Sequence, residues 1–461
     1  LAGSASTRFE GAGLGLRLSG WYQRYSGLVP AGEQDYRHNS DGQLYGLRLT
    51  GDAQLAPDHR LEAEVGWMGS AGGNPGFEGT SEQSRSRRFG RGTLGLRLAH
   101  RHDAGEGLRL ETDAYWNRFS ARVADPDGGA PNAYDTDRLG ARSLVHFLLW
   151  DRLLNTAGGE LEYHHVAGDV YGLGGGPYDL GAGALFVQSQ LLFDSGLELT
   201  GGARLDAFWY STHQTYLSLS PKLRLAYRPD GDTVLWAAVN RGFRAPSVGE
   251  LYLRYETSFG LSFQGNPELE PEVLWACELG VRRQLFDRRL KVELVAFWNE
   301  GLGTIEFDYR TLPVSASNLE GSRTFGLEAA VTLEPTGWLR LQADASWMDA
   351  RSAEDGSRLL YRPEWKGGLW AVLHGGGVRL SGHAHGVSAR AYDDFLAGSI
   401  TGIPRRNLPA HWLLDLGLAW NAPHGIEVAA HVRNALDARV YVIQDYPSPG
   451  REFFVELRLP F

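Results

Sequence analysis

Apolar and polar residues alternate with a period of two along almost the whole chain, the spacing of a strand with two unlike faces. Within 196–210, Leu197, Leu199, Ala203, Leu205, Ala207 and Trp209 share one face, while Glu198, Thr200, Arg204 and Asp206 share the other. Within 107–117, Leu108, Leu110, Thr112, Ala114 and Trp116 oppose Arg109, Glu111, Asp113 and Asn117. Segments 45–55 and 291–299 repeat the pattern. So does the last one, where Phe453, Val455, Leu457, Leu459 and Phe461 oppose Glu452, Glu456 and Arg458. One face is greasy and the other carries charges of both signs. The pattern predicts an all-β protein of about twenty strands.

The connections sharpen this. Short, turn-like links fall at 57–59, 103–106, 194–196, 228–232, 287–288, 335–337, 375–377 and 421–425. Between them lie longer Gly-, Pro- and Asp-rich links near 26–40, 69–87, 120–137, 167–182, 242–272, 349–360, 388–410 and 435–451. Short links on one side and long ones on the other are the pattern of a transmembrane antiparallel β-barrel, with brief periplasmic turns and extended extracellular loops. Trp67, Trp116, Trp209, Trp298 and Trp347 lie on the apolar face, each about a tilted strand's length beyond a short turn. They predict an outer aromatic girdle, with Tyr227 and Trp420 in the opposite one. No run of apolar residues is long enough for a membrane-spanning helix, so a closed barrel is the remaining way to satisfy the backbone in lipid. A soluble propeller would need a blade repeat, and no fixed period occurs.

At 461 residues the length alone would allow several domains, but the pattern runs through 1–461 without a linker and reads as one. A net charge of −10 with acids and bases interspersed gives no nucleic-acid surface. The single cysteine, Cys277, excludes an internal disulfide and a cysteine-based zinc site, and its mid-strand place predicts a packed small hydrophobe. Neither a signal peptide nor an initiator Met is visible, so the natural N-terminus is expected to lie elsewhere.

One stretch breaks the alternation: Asn240-Arg-Gly-Phe-Arg-Ala-Pro-Ser-Val-Gly-Glu-Leu-Tyr252, answered by Gly265-Asn-Pro-Glu-Leu-Glu-Pro-Glu272. Pro246, Pro267 and Pro271 each lack a backbone donor, so no ordinary strand or helix is expected to continue here. Leu251, Tyr252, Leu253, Tyr255, Phe259, Leu261 and Phe263 are too apolar for a disordered segment. The planar fork of Arg244 suits a ligand carboxylate, or an internal acid such as Glu250 or Glu270 that would hold the loop closed. Tyr252, Tyr255, Phe259 and Phe263 can stack on a large planar ligand or pack against their own loop. His383 and His385 share a strand face with Arg379 and Ser381, hence the lumen, where they can ligate a metal or haem iron, or simply line a polar wall. Glu33, Asp35 and Asp41 in the first long link offer oxygen ligands for Ca2+, or plain solvated charge. His164 and His165 point to opposite faces and cannot easily share a metal. Arg48, Arg97, Arg204, Lys222 and Arg224 charge the interior wall.

The paired loop motifs, with Phe243, Arg244, Ala245 and Pro246 answered by Asn266, Pro267, Leu269, Pro271 and Glu272, resemble those of TonB-dependent outer-membrane receptors. The ending is similar too: Arg433-Asn-Ala-Leu-Asp-Ala-Arg-Val-Tyr441 with Asn434 and Tyr441, then Tyr446-Pro-Ser-Pro-Gly-Arg451 with Gly450 and Arg451, then a strand closing on Phe461. The layout is most similar to vitamin B12 and compact siderophore receptors. The resemblance implies a monomeric barrel of about 22 strands in outer-membrane lipid of a Gram-negative bacterium. It implies TonB-dependent uptake of an iron–siderophore or cobalamin, with no catalytic residues and no covalently bound cofactor. The barrel-assembly machinery would read the terminal Phe461, and TonB–ExbB–ExbD would act through an N-terminal plug. Neither a plug nor a TonB-engaging box is found in this chain. Segment 9–25 matches the family's third strand and 1–6 the tail of the second, so the barrel part is expected without its plug and first strands. Haem receptors of the family usually place a histidine between the two loop motifs, and none occurs from Phe243 to Glu272. A passive plugless pore is the alternative from another class. A membrane-embedded hydrolase would need a nucleophile with histidine and acid partners, an arrangement not visible in the sequence.

Overall fold

The fold is that of a computed structural model, which describes residues 2–11, 13–33, 35, 37–74, 86–105, 107–125, 129–171, 176–212, 214–256, 262–308, 312–394 and 404–459. Phe259, Leu261 and the terminal Phe461 lie outside the described residues. Among the described residues, twenty-one strands form one sheet. The first seven are Ala2–Gly11, Leu14–Tyr25, Gly42–Ala56, His59–Gly73, Arg88–Asp103, Leu108–Asp125 and Gly129–Leu149. Next come Leu153–Gly168, Tyr178–Leu192, Leu197–Tyr210, Thr215–Tyr227, Thr233–Arg244, Glu272–Leu285 and Leu290–Leu302. The last seven are Gly321–Thr336, Leu339–Ser352, Trp365–Gly375, Val378–Val387, His411–Asn421, Glu427–Arg433 and Glu452–Arg458. Each pairs antiparallel with the next, so the whole ladder follows chain order.

The sheet is packed inside out. On the outward face Leu185, Leu217 and Leu279 are 67%, 70% and 64% exposed, while Glu198, Asp206 and Ser218 on the inner face are 6%, 8% and 4% exposed. A water-soluble protein buries the opposite set. Here the apolar face suits lipid, and the inner face meets its charges by pairing within and between strands. Arg204 reaches Glu160 at 3.0 Å and Asp206 at 2.7 Å; Arg224 and Arg228 reach Glu198 at 3.2 and 2.6 Å. Arg48 and Arg97 face Glu64 and Asp113 at 3.3 and 3.5 Å. Such partly exposed pairs contribute about 0.2–1 kcal/mol each, so their main effect is to keep the wall neutral and upright. The outward aromatics make a band: Trp298, Phe325, Trp347 and Trp365 follow one another with ring centroids 6.5, 5.8 and 6.3 Å apart.

Among the described residues no ladder joins the first strand to the last. Their edges bound a cleft of about 1870 Å3, lined by Gly3 and Ser4 on one side and by residues 452–459 on the other. The long-loop rim nevertheless closes over this seam. Pro30 bridges Pro449, the Gly450 amide donates to Val29 O at 2.8 Å, and Asp437 accepts from the amides of Gly32 at 3.1 Å and Arg451 at 2.8 Å. A side chain on Gly450 would meet Asp437 and Ala31 at 2.8–3.0 Å, so glycine is what allows the two loops to touch.

Several expectations change. Segment 9–25 is not one strand: the chain turns at Gly13 (φ 78°), and Phe9–Gly11 belongs to a preceding strand that pairs back on residues 14–16. Link 120–137 is mostly ladder, because the hairpin continues from Ser120↔Asp135 up to Asp125↔Gly129. A further short turn at Trp150 and Asp151 (φ 52° and 55°) carries none of the Gly or Asn that usually marks such a conformation. Cys277 is exposed on the outward face opposite Trp298 instead of packed in a protein core, because that face has no protein layer over it. Leu279 sits mid-strand in the same band. Its replacement by arginine should cost about 2–4 kcal/mol in reversible folding into lipid vesicles. An unchanged folding free energy would rule out a lipid-facing band here.

Candidate functional site

Dry packing is concentrated at the long-loop rim instead of in the barrel. The largest fully buried side chains are Leu251, Leu269, Val314, Pro30 and Pro246, all outside the twenty-one sheet strands. In the segment after Arg244, Pro246 stands just before the helix cap, where its ring fixes the backbone. Ser247 then caps a single turn, Val248–Tyr252: its Oγ accepts the Glu250 amide at 3.2 Å, and the Glu250 carboxylate accepts the Ser247 amide at 2.7 Å. This corrects the expectation that no helix forms here. Ser247-Val-Gly-Glu250 is a capping box, and its spacing alone announces a helix start.

Arg244 holds that turn to the barrel. Its Nη1 and Nη2 donate to Glu250 at 2.8 and 3.0 Å, and its Nε donates to Glu272 at 2.6 Å. Arg244 and Glu272 are also partners in the ladder, so the two motifs meet at the loop's base. Glu272, not Glu270, is therefore the second acid. Burial pushes the Glu250 carboxyl up, but the Arg244 and Ser247 hydrogen bonds outweigh it and hold the carboxyl below the ordinary glutamate range. Above this turn, Leu251 and Leu269 pack with Tyr210, Ile305 and Ala316. Tyr210 donates to Pro246 O at 2.5 Å and Tyr216 to Leu269 O at 2.7 Å. Asn266 closes the second motif: its amide donates to Glu250 O at 2.8 Å and its Nδ2 to Ala316 O at 3.0 Å. Gly265 is pressed against the helix end, where a Cβ would lie 2.5 Å from Leu251 C.

The aromatic candidates join this scaffold. Tyr252 stacks on Tyr178 at 4.3 Å and 3°, with its hydroxyl on Thr212 and Gln214. Tyr255 pairs with Phe263 in a small sheet built from Arg254–Glu256, Ser262–Gln264, Val314–Asn318 and Ile305–Asp308. Phe263 meets Phe307 edge-on at 6.1 Å. The loop between Leu302 and Gly321 thus completes the cap, although no sequence motif singles it out. Glu272 takes the Ile305 amide at 2.7 Å, and Asn318 exchanges two 2.8 Å hydrogen bonds with the backbone of Glu270. The alternation of Val314 and Ala316, both fully buried, was the available signal.

The terminal motif is also structural in its contacts. Asn434 (φ 47°) ties its own turn by 2.9 Å hydrogen bonds to and from Ala438, and its amide donates to Asp415 at 2.9 Å. Arg390 donates to Tyr441 O at 2.8 Å. Of the calcium candidates, Glu33 meets Arg439 at 3.0 Å and Asp41 meets Arg88 at 2.6 Å, so two of the three carboxylates are committed to arginines. Glu33, Asp35 and Asp41 do not form one of the metal-competent groups found among the described residues. His383 and His385 do, joined by Asp415, which the sequence pattern leaves unmarked. His164 and His165 take separate acids, Glu162 at 3.0 Å and Asp179 at 2.7 Å.

The family description "TonB dependent receptor-like, beta-barrel" matches residues 5–435. The chain belongs to that family. A vitamin B12 transporter, BtuB of Vibrio vulnificus, is 25% identical over 260 residues, which are 55% of this chain and 38% of that protein. The chain thus matches well under half of that relative's length. Among solved structures, the siderophore receptor PirA of Acinetobacter baumannii superposes with TM-score 0.80 at 14% identity, over 98% of this chain and 76% of its own. The copper transporter OprC superposes with TM-score 0.80 at 16% identity, over 99% and 81%. At these identities the likeness shows the barrel fold and leaves the ligand open. The family and these neighbours are receptors and transporters, not enzymes.

Removing the Arg244 fork should loosen the cap without unfolding the barrel. In Arg244→Ala, hydrogen exchange at the Glu250, Gly265 and Asn266 amides should speed up about tenfold, or ~1.4 kcal/mol, a value reduced by the 44% exposure of the arginine side chain. Arg244→Lys should not restore protection, because a point charge cannot span two carboxylates. Unaltered exchange in both variants would show that the fork does not hold the cap. The depressed Glu250 carboxyl sets the pH sense: its contribution is full above the ordinary glutamate range and lost as pH falls through its lowered value. Protection of these amides should therefore fall on acidification below that range in the native chain and fall less in Glu250→Gln, where only the likewise lowered Glu272 carboxyl remains to be protonated on Arg244.

Proposed function

We propose that this chain is the wall and outer-loop part of a TonB-dependent receptor that takes up a large metal chelate, an iron–siderophore or cobalamin, across a Gram-negative outer membrane. The observation that carries this reading is the cap at one rim. A loop pair locked by Arg244, Glu250 and Glu272 presents Tyr252, Tyr255, Phe263 and Phe307 above a polar, ion-paired lumen. Aromatic surface of this kind gives wide contact with a bulky ligand at small entropic cost. The reading includes a monomeric barrel whose uptake is driven by TonB–ExbB–ExbD. Tyr252, Tyr255, Phe259 and Phe263 are its candidate ligand contacts, and Arg244 acts by holding them in place.

Uptake of radiolabelled ferric siderophores and of labelled cobalamin should be followed in the source bacterium, in cells with and without the gene and with and without a proton gradient. Saturable uptake that requires both supports the proposal. Gradient-independent passage of small sugars and salts, together with large steady conductance in planar bilayers, would replace it with a passive pore. Within the receptor reading, Tyr252→Ala should weaken chelate binding by roughly tenfold, the ~1–1.5 kcal/mol of one aromatic contact, in a direct binding assay on outer membranes.

A further inference from the structure

The strand Val378–Val387 carries His383 and His385 two residues apart, so both imidazoles leave the same face. The residue opposite His383 on the neighbouring strand His411–Asn421 is Asp415. One donor atom from each of the three side chains lies within 4.8 Å of the others. His383 Nδ1 stands 3.9 Å from Asp415 Oδ2, beyond hydrogen-bond length. Asp415 Oδ1 accepts the Asn434 amide at 2.9 Å, which orients the carboxylate from behind. The rings are oriented as well: His383 stacks on Trp370 at 4.1 Å and on His385 at 4.4 Å.

His383 Nε2 and His385 Nδ1 are shielded from solvent and have no hydrogen-bond partner. A buried nitrogen without a partner is costly, and two together in an oriented group need an explanation. The other metal-competent group, Asp58 with His59 and His102 at a short turn, differs in this respect. There Asp58 Oδ2 lies 3.6 Å from His59 Nε2 and 3.3 Å from His102 Nε2, and His59 Nδ1 meets His100 Nε2 at 3.1 Å. None of its ring nitrogens is both buried and without a partner among the described residues, so it carries no proposal.

We propose that His383, His385 and Asp415 bind a divalent transition-metal ion on the lumen wall. Two imidazoles and one carboxylate select the Zn2+, Co2+, Ni2+ and Cu2+ class over Ca2+ and Mg2+, which take oxygen ligands. Three protein ligands leave coordination positions open, where a water or a donor atom of an entering ligand can sit. Both His383 and Asp415 line the cleft between the first and last strands, so the ion would be reachable from the lumen. The Asn434 amide supplies the outer hydrogen bond that keeps the carboxylate aimed, a role separate from its part in the terminal turn. This site is independent of which chelate the barrel admits.

The test uses the whole chain folded in detergent and Zn2+ or Co2+ alone as probe. A His59→Asn/His102→Asn background removes the competing group. In that background we expect one equivalent of Zn2+ by calorimetry and a visible Co2+ ligand-field band. Adding His383→Asn/His385→Asn should abolish both, and Asp415→Asn, which keeps an acceptor for the Asn434 amide, should weaken binding by at least about tenfold. Unchanged heat-modifiable gel mobility confirms that each variant is folded; if one is not, His385→Gln alone replaces it. No binding in the background protein, or binding unaltered by the His383 and His385 changes, overturns the proposal.

Discussion

A backbone placed where water cannot reach it must satisfy every N–H and C=O from within, and the rest of this structure depends on that constraint. The antiparallel ladder does so strand by strand, in chain order, with each hairpin supplying the partner for the next. Because a strand has two faces, the same ladder separates the chain into an outward apolar surface and an inward charged one. The interior charges pair within strands and across to nearby ones, and the exterior leucines and aromatics remain uncovered by protein.

This arrangement moves the compact core to an unusual place. In the barrel wall few side chains are fully buried, whereas Leu251, Leu269 and Val314 are buried in the loops at one rim. That rim behaves as a small folded unit of its own. It has a capped helical turn, a four-stranded sheet and an apolar centre, and Arg244 joins it to the ladder through two carboxylates.

The first and last loops illustrate a second principle. Among the described residues the strands they extend from are not laddered together, yet Pro30 with Pro449 and Asp437 with Gly32 and Arg451 join the loops above them. Rim contacts and strand contacts are therefore separate sources of closure. The His383–His385–Asp415 group lies below that joint, where adjacent strands in register bring together side chains about thirty positions apart in the chain.

The all-β ladder, the alternation of short and long links and the inside-out faces were legible in the sequence, because strand periodicity and turn chemistry are local properties. The capping box at Ser247 and Glu250 was equally local, but three prolines nearby argued against a helix and won. The turn at Trp150 and Asp151 could not be read, since its positive φ angles are imposed by the strands it joins. What only the tertiary structure decided were the long-range pairings. They include Glu272 instead of Glu270 on Arg244, the 302–321 loop as the partner of the 244–272 loop, and Asp415 beside two histidines. Each depends on which residues the sheet register sets side by side. Register is a sum over many weak contacts along neighbouring strands, and no single residue in the chain records it.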